Sequence, residues 1–347
     1  MIRRGLSLAC IAWLALTASA SEVSTGTLKD VVFSQYTDWS SSAELARRLV
    51  TPLNAWRLQQ HAASQGMTIA EQPIDLARER FALYVPTQMP PDGYALLVFV
   101  PPWNEASVPA AWTSILERHG MILVTAANIG NDASLLDRRD PVSLLAASNV
   151  MARYRVNPQR VYVGGFSGGS RVALRLALGY PDVFHGVLLE AGSDVLGQTV
   201  PLPPRTLLER FQSSTRIVYF TGLQDTAHQD ADKQSRASLR HWCIDDVDVR
   251  PMPWTGHDLA EPAALDRALT SLETHRAPDA AKLDACRARV AHDIDEALGQ
   301  IGTAIANGQL DSAKEQLENA DQRYGGLAAP RSVQLATQLQ RAAPPTP

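Results

Sequence analysis

The sequence of 347 residues predicts an α/β protein with a doubly wound, mostly parallel sheet and a small C-terminal helical appendage. Between Phe81 and Leu272, short apolar runs alternate with helical stretches of about 10–15 residues, as in crossover units. Runs such as LLVFV, MILV and HGVLL are continuously apolar, which is typical of strands covered by helices on both faces. After Pro278 the strand signals cease, and Ala, Gln, Leu and charged residues recur at helical spacing.

The elements follow from this pattern in chain order. Serines at its start predict a first helix over Ser40–Val50. Short apolar runs with Pro or Gly near their ends predict the strands. These strands are expected over Phe81–Val85, Tyr94–Val100, Met121–Thr125, Arg160–Val163, His185–Glu190, Ile217–Phe220 and Val247–Met252. The intervening helices are predicted over Ala110–Arg118, Pro141–Tyr154, Arg171–Leu178, Asp232–Trp242 and Pro262–Leu272.

The C-terminal segment is predicted to form a separate helical unit. Helical spacing covers Asp279–Asn307, Asp311–Gln322 and Ser332–Gln340, interrupted by Asn-Gly and Gly-Gly pairs. The pattern is similar to a helical hairpin of the tetratricopeptide type. One such unit cannot bury its own apolar face, so it should dock on the main domain or on a partner. We therefore expect a main domain over 21–278 and an appendage over 279–347.

The composition excludes several classes of protein. With 45% hydrophobic, 6% aromatic and 20% charged residues, the chain is neither disordered nor collagen-like nor a disulfide-dense miniprotein. A formal net charge of −4 without a long basic run argues against nucleic-acid binding. The only strongly apolar stretch is at the N-terminus, so no internal membrane span is expected.

Residues 1–20 have the three parts of a secretory signal peptide. Arg3 and Arg4 precede an apolar run, which ends near an Ala18-Ser19-Ala20 cleavage site. The alternative is a short membrane anchor. Secretion implies a periplasmic or extracellular location, where the remaining Cys243 and Cys286 could form a disulfide. Two unpaired buried thiols are the alternative.

The segment 161–170, VYVGGFSGGS, contains Gly165-x-Ser167-x-Gly169 between an apolar β-branched run and the helical RVALRLAL. A nucleophilic serine on a strand-to-helix turn has a strained backbone, and its neighbours must lack side chains so that strand and helix can pass closely. The context predicts that Ser167 is a nucleophile. The alternative is a glycine-rich connection without catalytic function.

A serine hydroxyl needs a base, and the base needs an acid that orients it. In this arrangement the chain order is nucleophile, acid, base, with the last two in loops after later strands. Asp225 follows the strand ending at Phe220, and His257 follows the strand ending at Met252. They are the predicted acid and base.

Several residues compete for these roles. His228 lies close to Asp225 in sequence, and Asp230 and Glu190 are alternatives for the acid. Asp225 itself could be a turn-forming residue. The group formed by Asp225, His228, Asp230 and His241 matches no metal-ligand spacing, so no metal site is predicted.

An oxyanion hole requires two N–H donors. One should be the backbone N–H of Gly168, the residue after the nucleophile. The other should come from the loop after Val100, where Pro101 and Pro102 have no N–H. Trp103 is the first available donor and Asn104 the second. The alternative is that Trp103 is only a wall of the cleft. The walls of the pocket are expected to come from Trp103, the segment after Asn128 and the Val195–Arg205 stretch.

The motif Gly165-Phe166-Ser167-Gly168-Gly169, with RVY before it and YPDVF after it, resembles the α/β-hydrolase superfamily. Within it, the chain is most similar to secreted esterases of the polyhydroxybutyrate depolymerase and feruloyl esterase type, over about Phe81 to Leu272. The resemblance implies ester cleavage through an acyl-enzyme, with no metal and no organic cofactor. Ser167, Asp225 and His257 match the family's triad. Many members have His-Gly where this chain has Pro101-Pro102-Trp103.

The leading hypothesis is therefore a secreted carboxylesterase acting on a small-molecule or polymer-derived ester. The first alternative is a serine peptidase with the same triad, although no propeller-like repeat precedes the hydrolase region. The second is a non-catalytic hydrolase fold that binds a partner through the helical tail.

Overall fold

The computed structural model describes residues 24–69 and 71–342; the predicted signal peptide over 1–20 lies outside them. In the described residues, eight strands form one sheet in the order β1-β2-β4-β3-β5-β6-β7-β8. The strands are β1 (Gly26–Val31), β2 (Phe81–Val85), β3 (Tyr94–Val100), β4 (Met121–Ala126), β5 (Val156–Phe166), β6 (Gly186–Glu190), β7 (Arg216–Tyr219) and β8 (Val247–Val249). β2 pairs antiparallel with β1 and β4, and all other pairs are parallel.

Helices cover both faces of the sheet. They are α1 (Ser42–Leu49), α2 (Pro52–Ser64), α3 (Thr113–Arg118), α4 (Asp140–Arg153), α5 (Gly168–Gly179), α6 (Arg205–Ser214), α7 (Thr226–His241), α8 (Pro262–Leu272), α9 (Ala280–Ala306), α10 (Leu310–Tyr324) and α11 (Arg331–Ala342). In β3, Leu96 and Val98 join the core on one face, while Leu97 and Phe99 join the core on the other. The predicted doubly wound α/β class is confirmed.

Several boundaries differ from the sequence-based prediction. β5 extends from Val156 to Phe166 rather than over Arg160–Val163, because its end continues beside β3 and β6 as far as the turn at Ser167. The strand predicted over Val247–Met252 ends at Val249, and Met252 forms only an isolated bridge with Gly222. The prediction missed β1, α2 and α6 altogether.

The three C-terminal helices pack against the main domain. The buried stripe of α9 (Leu283, Val290, Ile294, Leu298 and Ile301) belongs to the same apolar core as β2 and β3. The Asp321 carboxylate on α10 accepts from the Leu53 N–H on α2 at 3.1 Å, and Arg57 pairs with Glu318. A disulfide joins Cys243, just after α7, to Cys286 on α9, which confirms the bridge hypothesis.

No helix among residues 24–69 and 71–342 combines the length and apolarity needed to cross a bilayer.

Candidate active site

Ser167 lies on a sharp turn between β5 and α5. Its φ of 54° and ψ of −122° are strained for a residue with a side chain. The turn is held in place because the Ser167 N–H donates to the Glu190 carbonyl at the end of β6, at 2.8 Å. The backbone conformation at Ser167 is thus that of a nucleophile on a strand-to-helix turn.

The glycines that flank Ser167 are required by close backbone contacts. A Cβ on Gly169 would lie 1.8 Å from the Val100 carbonyl oxygen, and one on Gly165 would lie 2.4 Å from the carbonyl carbon of Gly169. The end of β3 and the first turn of α5 therefore pass each other at a distance that only glycine allows.

Ser167, His257 and Asp225 form a continuous hydrogen-bonded chain. The Ser167 Oγ lies 3.0 Å from His257 Nε2, and His257 Nδ1 lies 2.6 Å from Asp225 Oδ2. With Nδ1–H donating to the carboxylate, Nε2 carries the lone pair that can accept the serine proton. The three side chains follow β5, β7 and β8, whose carboxyl ends meet at one edge of the parallel sheet.

Asp225 has two further contacts that fix its carboxylate. Its Oδ1 accepts from the His228 N–H at 3.5 Å, so it caps α7, and it lies 2.9 Å from His228 Nδ1. Burial acts to raise the pKa of Asp225, but hydrogen bonds from His228 and then His257 outweigh it, and the pKa lies below its usual value. The carboxylate therefore stays ionised and oriented toward His257.

The residues that competed for the acid and base lie elsewhere. Glu190 is fully buried, and its carboxyl accepts from the Ala260 N–H rather than contacting His257. Asp230 is exposed on α7, without a hydrogen-bond partner in the described residues. His228 shares the carboxylate of Asp225, and its ring stacks on His257 with centroids 4.3 Å apart. Sequence reasoning did not foresee this stacking, because proximity in the chain did not indicate which atoms would meet.

The loop after β3 lies directly against the nucleophile turn. The half-buried Trp103 packs against Phe166, whose ring in turn lies 4.9 Å from that of His257. The Asn104 side chain holds the loop, since its Oδ1 accepts from the Gly130 N–H at 2.9 Å. Gly168 begins α5, where a backbone N–H has no partner within the helix. The oxyanion roles of Gly168 and Trp103 remain predictions.

Asp225, His228 and His257 each offer one ligand atom, and these atoms lie within 4.8 Å of one another. His241 and Asp230 are not part of this group. The Asp225 carboxylate already accepts from both imidazoles, so a metal ion would have to replace the hydrogen bonds that orient His257. The donor set is better accounted for by proton transfer than by metal binding.

A cavity of 440 Å³ opens beside Ser167 and Gly168. Its walls come from the segments after Asn128 and over Val195–Arg205, as predicted, but Trp103 is not among them. The sequence-based prediction missed its charged residues: Arg139, Arg171, Arg175 and Asp194. Arg171 and Arg175 lie one turn apart on α5, but Arg139 and Asp194 come from other segments, so only the fold brings the four together.

The sheet order and the strand-to-helix turn at Ser167 are those of the α/β-hydrolase fold. Residues 125–232, roughly a third of the chain, match the family model described as Esterase PHB depolymerase. The matched segment includes Ser167 and Asp225 and ends before His257. The resemblance to this type of esterase is thereby confirmed for that segment.

The chain is also similar to solved structures of hydrolases. They include a ferulic acid esterase, with 14% identity and a TM-score of 0.44 over 56% of this chain and 92% of that chain. S-formylglutathione hydrolase FrmB from Staphylococcus aureus shows 12% identity and a TM-score of 0.45, covering 56% of this chain and 93% of that one. No curated protein sequence matches the chain.

Proposed function

We propose that this protein is a secreted serine hydrolase that cleaves carboxylic esters through an acyl-enzyme. The observation that carries the proposal is the unbroken chain from Asp225 through His257 to Ser167, with links of 2.6 and 3.0 Å. It supplies the nucleophile, the base and the orienting acid that acyl transfer needs.

In the first half of the reaction, the Ser167 Oγ attacks the ester carbonyl while His257 Nε2 takes its proton. Asp225 holds Nδ1–H and stabilises the imidazolium that forms. The negative charge on the carbonyl oxygen is stabilised by the Gly168 N–H and the Trp103 N–H. His257 then returns its proton to the leaving alkoxide, and the acyl group stays on Ser167.

In the second half, water replaces the alcohol. His257 takes a proton from water, the resulting hydroxide attacks the acyl-enzyme, and the same N–H groups hold the second oxyanion. The proton then passes to the Ser167 Oγ as the carboxylic acid leaves. These steps use the three side chains, the two backbone N–H groups and water.

A periplasmic or extracellular location is part of the proposal. It is supported by the signal-like segment over 1–20 and by the Cys243–Cys286 disulfide, a bond that persists in oxidising compartments. Expression of the full chain followed by fractionation, with N-terminal sequencing of the product, tests this location.

Replacing the nucleophile tests the proposed activity. We expect Ser167→Ala to lower kcat for a short p-nitrophenyl ester by about 10⁴-fold or more, because the nucleophile is lost. It should also abolish labelling by a fluorophosphonate probe. Ser170→Ala is the matched control, since Ser170 is buried in the first turn of α5 and its hydroxyl has no partner within the described residues. Turnover by Ser167→Ala within tenfold of wild type would contradict the proposal.

A parallel assay on aminoacyl p-nitroanilides distinguishes an esterase from a peptidase with the same triad. We expect ester cleavage to exceed amide cleavage. The reverse preference would identify a peptidase.

A further inference from the structure

The cavity beside Ser167 has an excess of positive charge. Arg139, Arg171 and Arg175 line it, and Asp194 is the only carboxylate among its lining residues. The charge of Arg175 is offset by the buried Asp140, 3.0 Å away. Arg171 is about half exposed and lies 3.7 Å from Asp194, so its ion pair is loose.

Arg139 is the least expected of these residues. It ends a one-turn π-helix over Leu135–Arg139, just before α4, and only 4% of its surface is exposed. The only hydrogen bond of its guanidinium group in the described residues runs from Nη2 to the Pro101 carbonyl, at 3.2 Å. The buried Nε has no partner in the described residues, and Asp140 and Asp132, whose charges act on the guanidinium, form no ion pair with it. An unpaired buried guanidinium is costly, and an anion in the cavity would offset that cost.

The position of the cavity indicates which part of an ester enters it. The leaving oxygen must approach His257 Nε2 to receive a proton, yet His257 does not line the cavity. The cavity instead borders Ser167 and Gly168, the proposed nucleophile and oxyanion donor. A group bound there is therefore on the carbonyl side of the ester, not on the side of the leaving oxygen, and belongs to the acyl part of the substrate.

We propose that the cavity binds a carboxylate at the far end of the acyl group, so that the preferred substrates are monoesters of dicarboxylic acids. Arg139 and Arg171 would hold this carboxylate, since guanidinium groups match carboxylate geometry. The inference rests on the proposed esterase function and deepens it by naming the substrate class.

The test compares two substrates that differ in one charge: 4-nitrophenyl hydrogen adipate and its neutral counterpart, 4-nitrophenyl methyl adipate. The quantity measured is the ratio of their kcat/KM values, anionic over neutral, after subtraction of spontaneous hydrolysis. For the wild type we expect a ratio of about ten or more, as a charge-assisted hydrogen bond predicts.

Variants at the cavity should move this ratio in opposite directions. Arg171→Gln and Arg139→Gln should lower it toward one, whereas Asp194→Asn should raise it by removing the negative charge beside Arg171. A purely structural effect would lower both rates and leave the ratio unchanged. If Arg139→Gln fails to fold, the opposite changes expected for Arg171→Gln and Asp194→Asn still test whether the cavity binds a carboxylate. Arg240→Gln is the control, because Arg240 is exposed on α7 and lies outside the cavity.

The outcomes separate this inference from the proposed function. The inference alone is overturned if the wild type hydrolyses the neutral ester with a ratio near one. It is also overturned if neither Arg171→Gln nor Asp194→Asn changes the ratio. Absence of turnover of both esters together with absence of fluorophosphonate labelling overturns the proposed function and this inference with it.

Discussion

Glu190 combines full burial with an ionisable carboxyl group at the end of β6. Its exposed fraction is 0%, one carboxyl oxygen accepts from the Ala260 N–H, and the other has no partner in the described residues. Burial raises the pKa of Glu190 well above its usual value, against the effect of the Ala260 N–H. The folded protein therefore holds this carboxyl neutral at a pH where the unfolded chain ionises it.

This difference predicts a pH dependence of stability. A raised folded-state pKa contributes stability below the unfolded pKa, and that contribution is lost as the pH rises toward the folded value. We expect the free energy of unfolding of Glu190→Gln, relative to wild type, to increase with pH above roughly pH 5, by at most about 1.4 kcal/mol per pH unit, until the raised folded-state pKa is reached. Urea denaturation at pH 5, 6, 7 and 8 measures this slope.

Glu44→Gln is the control, because the pKa of Glu44 is shifted in the opposite direction from that of Glu190. Hydrogen bonds from Arg47, and then Arg48, hold the pKa of Glu44 at about 2 despite some burial. Its contribution is complete above the unfolded pKa, so the variant should be less stable than wild type by a constant amount over pH 6–8. A difference between Glu190→Gln and wild type that is flat over the same range would contradict the prediction.

At the level of single residues, the sequence predicted those side chains for which catalysis requires a particular residue type at a particular place in the fold. Ser167, Asp225 and His257 could be chosen because chain order and position after strands restrict the candidates. His228 and Arg139 could not be assigned a contact from the sequence. Their contacts depend on side-chain directions that only the assembled strand ends determine.

At the level of elements, the three glycines around Ser167 differ in what surrounds them. A Cβ on Gly165 or Gly169 would meet backbone atoms of β3 or α5, which cannot move independently. A Cβ on Gly168 would instead meet the amide of Asn131, with its Oδ1 at 2.1 Å, and Asn131 is exposed. The same substitution should therefore have different consequences at each position.

We expect Gly165→Ala and Gly169→Ala to lower the free energy of unfolding by about 3 kcal/mol or more, because overpacking must displace the backbone. Gly168→Ala should stay within about 1 kcal/mol of wild type, since the Asn131 side chain can turn away and alanine favours the helix. Thermal and urea denaturation of the three variants test this order.

Asn131→Ala, alone and combined with Gly168→Ala in a double variant, provides the matched control. If the clash with the amide is the source of any loss, the double variant should recover it, giving a favourable coupling energy. Equal losses at all three glycines, without recovery, would show that the close approach of β3 and α5 does not explain the motif.

The boundaries of elements were predicted less well, for local reasons. α7 begins at Thr226 rather than Asp232, because Asp225 serves both as a helix cap and as the partner of His257. β1 was missed because its alternate residues are exposed, so it lacks the continuous apolar run of the central strands. The residues of α2 are mostly half-buried or exposed, and the helix is held by contacts with α1, α10 and α11, which are distant or unrecognisable in the sequence pattern.

At the level of the whole molecule, the C-terminal helices share an apolar core with the main domain and are joined to it by several polar and covalent links, two of which are prominent. One is the contact of α2 with α10, where Leu53 and Arg57 meet Asp321 and Glu318. The other is the disulfide between Cys243 and Cys286, beside which Arg287 donates to the Gln212 side chain on α6 at 2.6 Å. The disulfide is the covalent part of this attachment.

Removal of the disulfide should measure how strongly it stabilises the fold. The cysteines are 43 residues apart, so on chain-entropy grounds we expect the Cys243→Ala/Cys286→Ala variant to lose about 4 kcal/mol of unfolding free energy. Urea denaturation with and without dithiothreitol is the measurement. The reductant should destabilise the wild type to a similar extent and leave the double variant unchanged, because the variant has no bond there to reduce. A wild type that is equally stable in both conditions, and no more stable than the variant, would show that noncovalent packing of α9 and α10 alone holds the appendage in place.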